Sequence, residues 1–176
     1  MIPELTRVLD PSYLTDLAAA PIDQVRSMRV ECADLENGAS FVRRLAQGRI
    51  DVLLAETKRR AEGGGGSLGE LIDSLASTLS DGSVAGPGSG RADQELEPPE
   101  QVVDPLTEVL DERVPPSVVT SVADLDDDSL ATAIIGLRDF EEELSAARHS
   151  LHETIDSVNN ELARRIAGGA SPAGLE

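Results

Sequence analysis

Five polar residues, Glu36, Ser40, Arg43, Gln47 and Asp51, follow one another at steps of 4, 3, 4 and 4. On a helix turning about 100° per residue they fall within roughly 80° of arc, as one polar stripe about 22 Å long. The chain then repeats the set. Glu141, Ser145, Arg148, His152 and Asp156 keep the same steps, with His152 where Gln47 stood. The chemistry of such a set suits a guanine nucleotide. Arginine presents a rigid donor fork that matches guanine O6 and N7 or a phosphate. A carboxylate such as Asp51 can accept from guanine N1–H and the exocyclic N2. Serine and glutamine add adaptable donors and acceptors. Arg43, Arg44, Arg49 and Arg148 could supply positive charge for phosphates in an otherwise acidic chain. No Gly-rich phosphate-cradling motif is present, so the pattern points to base reading with phosphate support and not to a P-loop.

One stripe of this kind is also what a solvated helix face contains, with some local charge pairing. The repeat weighs against that reading. With each residue type at roughly 6%, a given five-position match arises by chance about once in a million placements, and the second stripe keeps four of the five.

Two long helices must position these residues. From Ile22 to about residue 60, Val25, Met28, Cys32, Leu35, Ala39, Val42, Ala46 and Leu53 recur at steps of 3, 4 and 7, a coiled-coil seam interrupted only by Arg49. Cys32 lies on that seam and reads as a small buried hydrophobe. Gly38 and Gly48 each cost up to about 1 kcal/mol inside a helix, so packing or close approach by a partner or ligand must offset them. Gly63–Gly66 ends this helix. The second helix, 129–167, carries Leu130, Leu137, Leu144, Leu151 and Val158 every seven residues, with Ile134, Phe140 and Ala147 beside them. Asp126–Asp128 favour its positive end, and Ser129 can cap it. With Cys32 and Leu137 both at heptad position a, both stripes occupy positions e, b, e, b and f. They therefore stand in one relation to their seams, on the same rim of a helix pair. Both are central in helices of similar length, so length does not distinguish parallel from antiparallel pairing.

The remaining segments are less regular. Residues 1–21 form a mixed N-terminal segment. Residues 68–80 read as a short amphipathic helix through Leu68, Leu71, Ile72, Leu75 and Leu79. Residues 81–128 read as an acidic, largely disordered linker, rich in Gly, Pro and Ser at first and interrupted by Pro105, Pro115 and Pro116 later, with short helical pieces around Leu106–Arg113. This linker holds more than half of the excess negative charge. The tail, 168–176, reads as disordered.

Composition narrows the function. Aromatics are 2% with no Trp, which suits thin helix–helix contact better than a sheet, so the expected fold is all-α. The formal net charge of -18 argues against direct binding to duplex DNA and for a basic partner. Cys32 is the only cysteine, so no intrachain disulfide and no cysteine-based zinc site are expected. No apolar run spans a bilayer and no signal-peptide core is seen, so the cytoplasm is the expected compartment and no membrane is expected as a partner.

Glu36, Ser40, Arg43, Gln47 and Asp51 match the E-x3-S-x2-R-x3-Q-x3-D pattern of the RsiG family, which this chain resembles along both long helices and in the order of its elements. The resemblance implies an antiparallel coiled-coil hairpin that binds a dimer of cyclic di-GMP on the stripe face. It implies an actinobacterial anti-sigma factor that, when loaded, holds a WhiG-type sigma factor, a relative of the flagellar class, away from core RNA polymerase and so regulates sporulation. Arg43 and Arg148 would contact guanine and phosphate, Asp51 and Asp156 guanine edges, and Glu36, Ser40, Gln47, Glu141, Ser145 and His152 would complete the hydrogen bonds. His152 departs from the pattern, which expects Gln. Neutral imidazole offers one donor and one acceptor in a fixed ring.

Other chemistry is weakly supported. His149 and His152, with Glu153 and Asp156, superficially resemble a metal cluster, but no matching ligand set appears on the other helix, and no metal is expected. Neither a nucleophile elbow nor a GKS/T motif occurs, so an enzyme is not expected. The rival reading is a coiled-coil adaptor that binds its partner without nucleotide. It predicts that the stripes are dispensable for partner binding.

Overall fold

A computed structural model describes residues 1–63 and 98–168. Among these the chain is all-α, with no strand. Helix α1 (Pro3–Leu9) leads through a 3-10 turn (Pro11–Leu14) into α2 (Ile22–Ala61). Helix α3 (Glu100–Arg113), the short α4 (Pro116–Thr120) and a second 3-10 turn (Val122–Asp124) lead into α5 (Asp127–Ala167). The two long helices fall where the heptads place them. The expected helix at 68–80 and the tail from 169 lie outside the described residues.

The chain forms two compact units. One takes Met1–Arg43, Pro98–Val109 and the chain from Glu142 on; the other takes α2 from Arg44 and Leu110–Glu141. In the first, Val25 and Met28 of α2 pack with Val158 and Leu162 of α5 and with Ala20, and Tyr13, Leu14, Leu17 and Ile22 lie against them. Further along α2, Glu36 meets Arg148 and His152, which precede Val158 in α5. The helices therefore run antiparallel. In the second unit Gln47 meets Glu141 and Arg60 meets Asp127, in the same sense.

The heptad seam is the core. Val25, Cys32, Ala39, Val42, Ala46, Leu53, Leu137, Leu151 and Val158 are fully buried. Each large aliphatic among them contributes roughly 1.5–3 kcal/mol of burial. Arg49, the seam's interruption, is also largely buried. Its guanidinium pairs with Asp111 at 2.6 Å and donates to the Val114 carbonyl at 3.1 Å, tying α2 to the end of α3.

Two expectations are corrected. The stretch 81–128 reads as largely disordered, yet from residue 98, where it is described, it is mostly helical. Pro105 costs α3 one ladder bond. Val102, Leu106 and Leu110, spaced by four, are buried and outweigh it. Val102 packs on Gly38, where an added Cβ would lie 2.4 Å from the valine Cγ1. That glycine is needed for close approach of α3. Nothing lies within 4 Å of a Cβ at Gly48. The second correction concerns the start of α5. Its cap is Asp126, whose carboxylate accepts from the Ser129 amide at 2.6 Å, so the helix begins before Ser129 and not on it.

Candidate functional site

The stripe residues divide between the units. In the first, one carboxylate oxygen of Glu36 gathers three others. Glu36 Oε1 accepts from Ser40 Oγ at 2.7 Å, from Arg148 Nη2 at 2.6 Å and Nε at 3.1 Å, and lies 3.2 Å from His152 Nε2. Ser40 sits one turn on from Glu36, so local helix geometry supplies that bond. Arg148 and His152, one turn apart on α5, reach the same oxygen because the pairing is antiparallel.

Glu36 is mostly buried, its side chain 19% exposed. Burial pushes its carboxyl up, but the hydrogen bonds from Arg148, Ser40 and His152 outweigh it and hold the group below the usual carboxylate range. The ion pair is thus present at neutral pH. It orients the Arg148 guanidinium, while the His152 side chain stays 57% exposed at the rim. Arg43, Ser145 and Arg148 are half-buried, and Asp156 is exposed. In the second unit Gln47 Nε2 donates to Glu141 Oε1 at 3.1 Å, and Asp51 is exposed.

Chemically, the arrangement offers two kinds of group. Cationic forks sit in half-buried positions where water screens them less. Aspartates at the far end of each stripe are open to a ligand's donors. Among the described residues no group of three or more His, Cys, Asp or Glu side chains could hold a metal ion. His149 and Glu153 approach only to 4.0 Å, both well exposed.

The repeat reaches beyond the stripes, to residues that the hydrophobic seam does not single out. Glu56, Arg59 and Arg60 follow Asp51 as Glu161, Arg164 and Arg165 follow Asp156, at one offset. Glu56 and Glu161 both stand at heptad position d. Glu56 is fully buried and accepts from Arg59 Nε at 2.7 Å, Arg59 Nη2 at 2.8 Å and Arg60 Nε at 2.7 Å. Its carboxyl is held down at about 2, with the Arg59 hydrogen bonds the largest cause. Glu161 is held down likewise, to about 2, by Arg164 and then Arg165. In each unit the second arginine then reaches backbone. Arg60 donates to the carbonyls of Val122 (3.1 Å) and Ala123 (3.4 Å). Arg165 donates to those of Ala20 (2.5 Å), Leu17 (2.8 Å) and Ala18 (3.2 Å). Leu17 and Ala18 stand to Val122 and Ala123 in the offset that takes Glu36 to Glu141. These clusters lock the segment entering each long helix onto the end of the other long helix. The recurring Glu-x2-Arg-Arg was the signal that could have found them.

Among the described residues no helix is long and apolar enough to cross a membrane. No curated protein matches the chain. A family model described as RsiG-like matches residues 11–79 and 117–176, which takes in both stripes and both Glu-x2-Arg-Arg clusters. The chain belongs to the RsiG-like family, a regulatory family of anti-sigma factors.

Proposed function

We propose that this anti-sigma factor is gated by cyclic di-GMP. A dimer of the dinucleotide binds along the two stripes, and the loaded protein withholds a WhiG-type sigma factor from core RNA polymerase in the cytoplasm. When the dinucleotide falls, the sigma factor is released and sporulation-type genes are transcribed. The observation that carries this reading is the convergence of Ser40, Arg148 and His152 on Glu36. Stripe residues of both helices lie within hydrogen-bond distance of one atom, so a ligand can meet them together.

The residues fit such a ligand. Arg43 and Arg148 supply cationic forks for guanine and phosphate in a chain of net charge -18. Asp51 and Asp156, exposed at the stripe ends, accept from guanine N1–H and N2. Ser40, Ser145, Gln47, Glu141 and Glu36 complete the polar contacts, and His152 serves with one donor or one acceptor. A calorimetric titration is expected to show saturable binding that Arg43→Ala and Arg148→Ala each abolish. Capture of the sigma factor is expected only with dinucleotide present. No heat at high micromolar dinucleotide overturns the reading.

One observation favours a second reading. Glu36 with Arg148, and Gln47 with Glu141, satisfy one another without a ligand. Polar pairs across a plain coiled-coil adaptor do the same. Under that reading Arg43→Ala and Asp51→Ala leave partner binding unchanged.

A further inference from the structure

Each unit has a groove where its long helix begins, and the two grooves occupy equivalent places in the repeat. In the first unit the groove, about 520 Å³, is lined by Arg7, Tyr13, Met28 and Glu31 among others. Its polar groups satisfy one another. The Tyr13 hydroxyl donates to Glu31 at 2.9 Å, Arg7 pairs with Glu31, and the Arg7 guanidinium lies 5.5 Å from the centre of the Tyr13 ring. In the second unit the offset replaces Tyr13, Met28 and Glu31 by Val118, Ala133 and Gly136. The groove there, about 450 Å³, has an apolar wall of Val114, Pro115, Val118, Leu125 and Ala133, with Arg113, Asp128, Ser129 and Thr132 completing its lining. Ile135, one helical turn beyond the lining residue Thr132, is a large apolar side chain left 59% exposed.

Acidic residues surround the second groove. Asp128 lines it, Glu112, Asp124 and Asp126 are exposed next to lining residues in the chain, and residues 110–128 hold six acids against one base, Arg113. An apolar trough with a negative rim matches an apolar anchor flanked by lysine and arginine. We propose that this groove, together with the exposed Ile135, docks a basic amphipathic helix of the sigma factor. The inference rests on the anti-sigma reading and names its contact surface. The first groove, spanned by its own ion pair and tyrosine, offers no comparable apolar seat.

The test is a fluorescence-anisotropy titration of full-length protein, loaded with cyclic di-GMP, against a labelled WhiG-type sigma factor. Val118→Glu and Ile135→Glu are each expected to weaken sigma binding about tenfold or more, as hot-spot residues do. Helicity and dinucleotide binding should be unchanged, and rising salt should weaken the wild-type complex. Val30→Glu, at the place in the first unit equivalent to Ile135 and equally exposed, is expected to change the affinity little. Should Val118→Glu impair folding, the exposed Ile135→Glu decides alone. Wild-type affinity in Ile135→Glu, or an equal loss in Val30→Glu, overturns the groove while leaving the anti-sigma reading intact. If the wild-type protein binds no sigma factor at all, both are overturned.

Discussion

The two units use one Glu-x2-Arg-Arg motif in different surroundings. Glu56 is fully buried, with Arg59 and Arg60 only 25% and 23% exposed, and Arg60 also pairs with Asp127 at 2.7 Å. Glu161 is 10% exposed, and of its two partners Arg165 is 14% exposed but Arg164 is 65% exposed. The motif is the same, so the difference comes from what each unit packs over it. Exposed ion pairs contribute little, whereas removing one member of a buried, hydrogen-bonded cluster strands the others. The second unit should therefore depend on its cluster more than the first does.

The largest expected effect follows from that contrast. Glu56→Ala leaves two arginines without their buried carboxylate and should cost about 3 kcal/mol in urea unfolding. Glu161→Ala should cost clearly less, and equal losses would break the comparison. Acid sharpens it. Glu56 titrates at about 2 in the folded chain, against 4.5 ordinarily. Its contribution is complete above about pH 4.5 and is lost as pH falls toward 2. Glu56→Gln should flatten the decline in thermal midpoint across that window, and an unchanged profile would show that other carboxylates dominate it.

The two glycines of α2 give the next contrast. Gly38→Ala places a methyl against the stiff Val102 side chain and should cost about 2 kcal/mol by overpacking. Adding Val102→Ala should recover part of that loss, read as a non-additive double-mutant cycle. The smallest effect has the opposite sign. Gly48→Ala meets no neighbour and should stabilise the chain by about 0.5–1 kcal/mol. Destabilisation by Gly48→Ala would mean that this position is constrained in some other way.

Much of the scaffold was legible because helices convert sequence spacing into angle. Burial of Cys32, Leu137 and their heptad partners follows from that geometry. Of α3, a helical piece around Leu106–Arg113 was legible, but its start at Glu100 was not. Pro105 and the acidic composition argue against it, and Val102 is rewarded only where Gly38 admits it. The role of Arg49 was hidden for the same reason. It breaks the seam pattern, and only its partners Asp111 and Val114 explain it. Of the two stripes, the repeated spacing of ten residues was legible and their pairing was not. Glu56 and Glu161 escaped because a charged residue at position d reads as the end of a seam, whereas each is neutralised by arginines on its own helix.

The sequence by itself determined that two helices carry matching polar stripes in one heptad phase, since a fixed angle per residue assigns each side chain to a face. Tertiary structure decided that the helices run antiparallel, and that Arg148 and His152 share one oxygen of Glu36. It also decided that an acidic, proline-bearing stretch would pack as α3. These outcomes join residues far apart in the chain. Local periodicity carries no term for such contacts, which form only when both partners are buried together.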